Sequence, residues 1–264
     1  MSDLHIGFEI EFSSRGLNLP SQTKPMLERL SRIIDAERVD RLVLLGDVKH
    51  GISKIQVQEW SEVPEFLESL LKMVDKVEVV IGNHDAGLEN LIPRGVKLHG
   101  SGGMMIKSGS KMIGLVHGHA WPSPELFSSD LIVMAHHHFA VEFRDSFRLR
   151  IVEPVWVLGR MNRNESARRL LEHRGFRAGA DPVKQARLLL DTRIRCSRIL
   201  VMPAFNRLLG GLIINTSLIE EDLSPLLKPG VTDLPNAEIY LLDGTYLGRL
   251  SSLSLGDLDK DKPS

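Results

Sequence analysis

The sequence predicts an α/β domain of stacked layers, and three observations carry that prediction. Short apolar runs alternate with longer amphipathic stretches through the first half of the chain. Four of the apolar runs end directly in a polar turn bearing histidine or aspartate. The second half changes to strand-like segments with tight turns, around one basic stretch. At 264 residues the chain is long enough for one sizeable domain, or one domain with a smaller appendage.

Taken in order, residues 24–38 space Met26, Leu27, Leu30, Ile33 and Ile34 at helical intervals, with Ser21 or Thr23 as the cap. RLVLLG at 41–46 reads as a buried strand closed by glycine. Residues 61–74 read as a second helix, with Phe66, Leu67, Leu70 and Leu71 on one side. VEVVIG at 77–82 is another buried strand closed by glycine, and MIGLVH at 112–117 and LIVMAH at 131–136 repeat the theme. Ligands of open α/β sheets bind beyond the carboxyl ends of the strands, so four polar turns there can converge on one site. Residues 148–157, 198–215 and 237–250 read as further strands. Between them, residues 160–198 hold eleven Arg and Lys against four Asp and Glu, with helices expected at 163–174 and 181–195. The closing DKDKPS reads as disordered.

Composition narrows the class. The formal net charge of −1 gives no overall attraction to nucleic acid or anionic membrane, although the basic stretch carries a local +7. Cys196 is the only cysteine, which excludes an intramolecular disulfide and thiolate-based zinc ligation and fits a reducing compartment. MSDLHIGFE places acids and histidine where a secretory leader has basic and then apolar residues. Apolar runs such as LVLL are too short to span a bilayer. The expectation is a soluble, cytoplasmic protein without a membrane partner.

The chemistry lies in the histidines. They concentrate in SDLHIG (His5), GNHD (His84), VHGH (His117 and His119) and AHHHF, which supplies His136 and His138. Neutral imidazole with carboxylate suits Zn, Mn or Fe, whereas carboxylate and water alone suit Mg or Ca. Asp3 and His5 are two apart, so from an extended strand end both side chains leave on the same side and chelate one ion. His136 and His138 share that spacing. Asp47, in GDVKH, has two oxygens with which to bridge two metals, and Asn83 offers a neutral amide oxygen. Taken singly, Asp47 and Asn83 read equally well as caps of the turns after their strands. His119 and His137 alternate with the proposed ligands and should point away, His119 being the one with a second reading as a substrate contact. His99 and His173 read as surface residues, and Trp121 as a packing anchor rather than a base-stacking platform.

The blocks D-x-H, GD, GNHD, HGH and H-x-H occur here in the order of the calcineurin-like metallophosphoesterase family. Beyond them, SDLHIGFE, LPSQTKPML, RLVLLGDVKHGI, HGHAWPSPEL, VMPAFNRLLGG and DLPNAEIYLLDGTYLGRL resemble the archaeal SbcD-related phosphoesterases, a group similar to bacterial endonucleases encoded beside DNA-repair ligases. The resemblance covers the chain apart from residues 160–198. It implies that Asp3, His5, Asp47 and His138 hold one metal, and that Asp47, Asn83, His117 and His136 hold another. It implies His84 as the catalytic histidine, oriented by Asp85, and His50 as a residue that helps position the phosphate. Two ions about 3.5–4 Å apart clamp the attacking and leaving oxygens of an in-line displacement and lower the pKa of a water from ~15.7 towards ~7. His84 then protonates the departing alkoxide.

Three features depart from the family pattern. Only Met1 and Ser2 precede Asp3, where the family has a core strand, so that strand is expected to be missing unless translation starts upstream. Ala135 replaces the glycine before the last H-x-H, a mild change unless the turn needs positive φ. Phe139 replaces the proline that often follows, and is expected to alter the rim of the site.

The resulting expectation is a four-layer αββα sandwich. Residues 1–157 carry a dinuclear metal site, 158–197 form a basic helical insertion, 198–256 complete the second sheet, and 257–264 form a disordered tail. The expected function is phosphodiester hydrolysis of DNA or RNA with two divalent ions, Mn²⁺ first and Fe or Zn next, in a setting of DNA repair with a helicase or ligase partner. A small-molecule phosphodiesterase or phosphatase, and a non-catalytic binding module on the same fold, are the competing readings. The basic segment has two readings as well: a solvated helix face, or a phosphate-tracking surface led by Arg168, Arg169, Arg187, Arg193 and Arg195. With Phe176 as its only aromatic residue it does not support base stacking.

Overall fold

In the computed structural model two sheets face each other and helices cover their outer faces, giving the layers α, β, β, α. The structure describes residues 1–13, 15–144, 149–216 and 223–255. The predicted tail at 257–264 lies outside these residues.

The first helical layer is α2 (Thr23–Glu37) and α3 (Val57–Leu71), preceded by the single-turn α1 (Glu9–Ser13). Met26, Leu30 and Ile34 of α2 and Val63, Phe66, Leu67 and Leu70 of α3 bury one apolar stripe each. They close over a parallel three-stranded sheet, β1 (Arg41–Leu45), β2 (Lys76–Val80) and β3 (Val96–His99). Helix α3 begins four residues before the sequence reading placed it. Gln56 and Glu59 form a reciprocal capping box that satisfies the first turn, a Q-x-x-E signal the apolar spacing does not reveal.

Among the described residues the second sheet has nine strands. β4 (Met104–Ser108), β5 (Lys111–Leu115), β6 (Leu131–Met134), β9 (Arg198–Val201), β8 (Arg150–Arg160), β7 (Phe139–Arg144) and β10 (Leu212–Ile213) form its main path, and β11 (Glu238–Leu241) and β12 (Tyr246–Arg249) join through β8. β5, β6 and β9 are mutually parallel. Leu45, Val80, Met104, Leu115 and Ala135 pack between the two sheets. On the far face α4 (Arg163–His173) and α5 (Pro182–Leu190) bury Ala167, Leu170, Leu171 and Ala186 in the largest core cluster, with Val157 and Ile199. The helices expected in residues 158–197 are α4 and α5, and they supply the fourth layer. Burying a side chain such as Leu170 stabilises by about 1.5–3 kcal/mol. Helix α5 stops at Leu190, short of the predicted 195, because Asp191 takes the left-handed conformation (φ 48°) and cannot continue it.

The first block reaches the site alongside β1. Met1–Ile6 lies along β1 and its continuation through Leu45 N–H to Met1 O (2.8 Å), Asp3 N–H to Gly46 O (3.1 Å), His5 N–H to Asp47 O (2.9 Å) and an Ile6–Lys49 bridge. Buried Asn206 holds the same segment from the other side, donating to the Leu4 carbonyl at 2.9 Å.

Candidate metal centre

The loops after β1 and β2 are tied together by side chains. Asp85 is buried, and its carboxylate accepts the backbone N–H of Asp47 (2.8 Å), Val48 (2.8 Å), Lys49 (3.3 Å) and Gly82 (2.9 Å). Lys49, also fully buried, donates its ammonium to the carbonyls of Gly51 and His84. The His84 N–H donates to Asp47 Oδ1 at 2.9 Å, and His84 Nδ1 donates to the His50 carbonyl at 2.5 Å. Asp85 was expected to orient the His84 ring. It instead fixes the backbone that carries both Asp47 and His84, and the His50 carbonyl orients the ring. Burial, then the Asp47 charge, push the Asp85 carboxyl up to about 6 against its backbone donors.

These loops bring all seven expected donors to one place. Asp3, His5 and His138 form one group and Asp47, His117 and His136 another, the donor atoms within each group all lying within 4.8 Å of one another. Asp47 Oδ2 sits between the groups, 3.4 Å from His5 Nε2 and 3.2 Å from His117 Nε2. His117 donates Nδ1–H to the Leu45 carbonyl at 2.7 Å, which turns Nε2 into the site, 3.1 Å from Asn83 Oδ1. A third trio, His5, His50 and His84, is also close enough to share an ion, but there the Nδ1 atoms of His5 and His50 face each other at 3.1 Å as a hydrogen bond.

Backbone conformation marks the site. Among the described residues, seven non-glycine positions have positive φ: Asp3 (55°), His5 (42°), Asp47 (52°), His136 (78°) and His138 (47°) are donors, and Arg38 and Asp191 are helix C-caps. Left-handed residues other than glycine cost about 1–3 kcal/mol each and persist where the surroundings over-determine them. The extended geometry expected for Asp3 and His5 is thus incorrect, and left-handed turns make them converge instead. His136 and His138, despite their shared spacing, fall in different groups, because their turns send them in different directions. Ala135 has no positive φ, which is why alanine serves in place of glycine. A Cβ at Gly46 would collide with His117, and one at Gly82 with Asp47, so the glycines closing β1 and β2 let three elements approach.

Electrostatics agree with a cation site. Burial alone would raise the Asp3 carboxyl, but His138 and His117 beside it hold it below its usual value. Asp47, opposed by burial, is likewise held far down by His117 and His5. His117 loses some basicity to burial, yet Asp47 brings it up to about 9. Burial, with His117 nearby, takes His136 down to about 3, and burial also lowers His5 against the opposing pull of Asp47. Both oxygens of Asp3 and Nε2 of His5 and His138 are buried without an aligned hydrogen bond, although His138 Nε2 stands 3.1 Å from Asp3 Oδ1. Buried, inward-facing N and O atoms left unpaired in this way fit divalent cations.

Other expectations fare variously. His50 Nε2 is 2.8 Å from Glu11 Oε1 and its Nδ1 faces His5, so while those bonds hold neither ring nitrogen is left for a phosphate. His119 packs its ring against His117 and His136, turned towards them rather than away, with Nδ1 buried and unpaired. His137 does point away, accepting the N–H of Ser224 at 3.0 Å. Phe139 is fully buried in the core beside His137 and forms no rim. Trp121 stacks on His173 (5.4 Å), and His99, read from the sequence as a surface residue, is partly buried and lies 3.3 Å from Glu78 Oε1. Sequence reasoning missed Lys49, Glu59 and Asn206, which act on backbone and so carry no motif, although the Gln56–Glu59 capping signal was legible. Arg195 pairs with Asp130 at the start of β6, the end opposite the donor turns, and Arg187 and Arg193 line a cavity of about 300 Å³ beside it with Ser128. The far end of α4 reaches the turn after β5, where His173 meets Trp121.

Among the described residues no helix is long and apolar enough to cross a membrane. Comparison with solved structures finds a nuclease MPE of Pseudomonas putida at 18% identity and TM-score 0.47, covering 91% of this chain and 82% of that one. It also finds the E. coli phosphoesterase Yfce at 22% identity and TM-score 0.32, covering 46% and 68%, and an archaeal phosphodiesterase at 14% identity and TM-score 0.32, covering 55% and 76%. Comparison with curated proteins finds no match. Residues 1–165 match the calcineurin-like phosphoesterase family, and with more than half its length inside that match the chain belongs to this family of metal-dependent phosphoric ester hydrolases.

Proposed function

We propose that the protein is a phosphodiesterase acting on nucleic acid at a centre of two divalent cations, Mn²⁺ being preferred. The observation that carries the two-cation reading is the place of Asp47 Oδ2 between the two donor groups. Asp3, His5 and His138 would hold one ion and Asn83, His117 and His136 the other, with Asp47 shared. This mixture of imidazole, carboxylate and amide donors favours Mn, Fe or Zn over Mg or Ca. When bound, such cations neutralise the phosphoryl oxygens and make hydroxide available near neutral pH.

The chain's own residues do the rest. The Nδ1–H of His84 is committed to the His50 carbonyl, so Nε2 is the nitrogen that, in the imidazolium form, gives its proton to the departing oxygen. Such a step is typically worth about 10²–10⁴-fold. The neutral form that results keeps its Nδ1 bond, so the ring returns to the same orientation each cycle.

The nucleic-acid part is supported by the local +7 of residues 160–198, a charge suited to phosphates. Hydrolysis of bis-p-nitrophenyl phosphate by metal-stripped protein, with Mn²⁺ added back and Asp47→Asn as control, tests the centre. Activity that needs the metal and vanishes in the control is expected; activity surviving in Asp47→Asn would refute the shared carboxylate. A second reading, a small phosphodiester substrate, is favoured by Arg187, Arg193 and Arg195 lying at the far end of β6. Oligonucleotide cleavage that falls steeply with salt supports the first reading, and salt-insensitive turnover supports the second.

A further inference from the structure

We propose that Glu11 is a positioning residue for the metal centre: acting through His50, it keeps the proton of His5 on Nδ1 and leaves the Nε2 lone pair facing the cation. The argument starts at the surface. Glu11, on α1, has a half-exposed carboxylate, and its Oε1 lies 2.8 Å from His50 Nε2. A carboxylate only accepts, so His50 Nε2 carries the hydrogen. A ring with a single proton then has an acceptor at Nδ1, and His50 Nδ1 faces His5 Nδ1 at 3.1 Å. His5 Nδ1 must therefore donate, and Nε2 of His5 is the free lone pair. That atom is buried, lacks a hydrogen bond and stands 3.4 Å from Asp47 Oδ2, among the donors of the first group.

The His50 ring has little freedom to escape this order. Its backbone N–H is held by the Ile6 carbonyl (3.0 Å) and Glu59 Oε1 (2.9 Å), and its carbonyl holds His84. Its ring lies between Phe8, edge-on at 5.0 Å, and the stacked ring of His84 at 5.4 Å. Remove the carboxylate, and His50 is free to carry its proton on Nδ1. His5 must then accept there and present Nε2–H to the site, where a hydrogen repels a cation. Outer partners that fix a ligand's tautomer are commonly worth about 10–100-fold in metal affinity. Here the outer partner is a two-step chain, carboxylate to imidazole to imidazole, with its last link supplied from outside the core by a five-residue helix.

The inference rests on the reading of His5 as a metal donor, and the test separates the two. In histidine-¹⁵N-labelled, metal-free protein, two-bond ¹⁵N–¹H correlations report the His5 tautomer, and competition against a chromogenic chelator reports Zn²⁺ affinity. Wild type is expected to carry the His5 proton on Nδ1. Glu11→Ala should move it towards Nε2 and weaken Zn²⁺ about tenfold with the thermal midpoint unchanged. Glu11→Gln, whose amide oxygen still accepts from His50, should keep the wild-type tautomer and stay within about threefold in affinity. An unchanged tautomer and affinity in Glu11→Ala would overturn the proposal, as would Glu11→Gln behaving like Glu11→Ala. If wild type bound no Zn²⁺, the two-cation reading would fail, while the metal-free tautomer comparison would still decide the role of Glu11.

Discussion

The turns around the candidate metal centre and the helical layer α4–α5 are both dense in ionisable side chains, yet the fold treats them in opposite ways. In the turns Asp3, Asp47, Asp85 and His117 are buried, and Asp85 alone accepts four backbone N–H groups. In the helical layer Arg168 and Arg169 are about half exposed and pair with Glu165 one turn away on the same helix. A buried charge is tolerated only with fixed partners, so its position is dictated by the backbone. An exposed one is hydrated wherever it points. The difference teaches that clustered charge signals chemistry when the fold desolvates it, and surface otherwise.

The comparison can be tested hardest at Asp85. Asp85→Asn places amide hydrogens against backbone donors and is expected to destabilise the protein by about 2–4 kcal/mol in urea unfolding, with loss of hydrolysis. A loss below about 0.5 kcal/mol would mean that backbone anchoring does not distinguish the two regions. Next in size is Gly82→Ala, where the added Cβ overlaps Asp47. An overpacking loss of about 1–3 kcal/mol is expected in thermal or urea unfolding, together with weakened Mn²⁺ binding in calorimetry.

Glu78 is intermediate, a carboxylate on β2 held by side chains, with Arg41 Nε at 2.7 Å and His99 Nε2 at 3.3 Å. Burial works against its charge, but Arg41 and His99 hold its pKa below the usual glutamate value. Its contribution is therefore fully present above the unfolded pKa of about 4.3 and is lost as pH falls through the lower folded value. Solvent screens the pair, so Glu78→Gln should cost about 0.5 kcal/mol near neutrality. In urea titrations between pH 3 and 6 it should also flatten the acid limb of stability. The smallest effect belongs to the basic layer. Arg174→Ala with Arg177→Ala, beyond the site end of α4, should change stability by less than about 0.5 kcal/mol. The same pair should lower the salt slope of oligonucleotide cleavage by about 1–2, and by more than Arg193→Ala with Arg195→Ala does. Equal effects would mean that the nucleic acid does not follow the site side of the layer.

Much of this architecture is legible in one dimension. The apolar runs of β1, β2, β5 and β6 and the stripes of α2 and α4 are local patterns whose period survives folding. The donors after those strands announce themselves because metal chemistry needs their particular side chains at strand ends. What the sequence hides is whatever acts through backbone. Asp85 looks like a partner of its neighbour His84 and instead binds four main-chain donors. Lys49, a lysine with no motif to single it out, is fully buried on two carbonyls. Phe139 looks like rim and is core, because the alternation of β7 begins with it facing inward.

The sequence by itself determined the α/β class, the family and which polar side chains stand at the strand ends, since each is legible in side-chain type and short-range spacing. Only the tertiary structure decided that left-handed turns bring those side chains together around Asp47, which residues hold them in place, and that α4 and α5 pack as a layer. Those outcomes depend on left-handed backbone at five donors, on glycines that let separate strands approach, and on contacts such as Glu11 with His50 across 39 positions. Left-handed backbone is uncommon outside glycine, though aspartate and histidine tolerate it better than most, and at these five positions contacts with distant parts of the chain hold it in place.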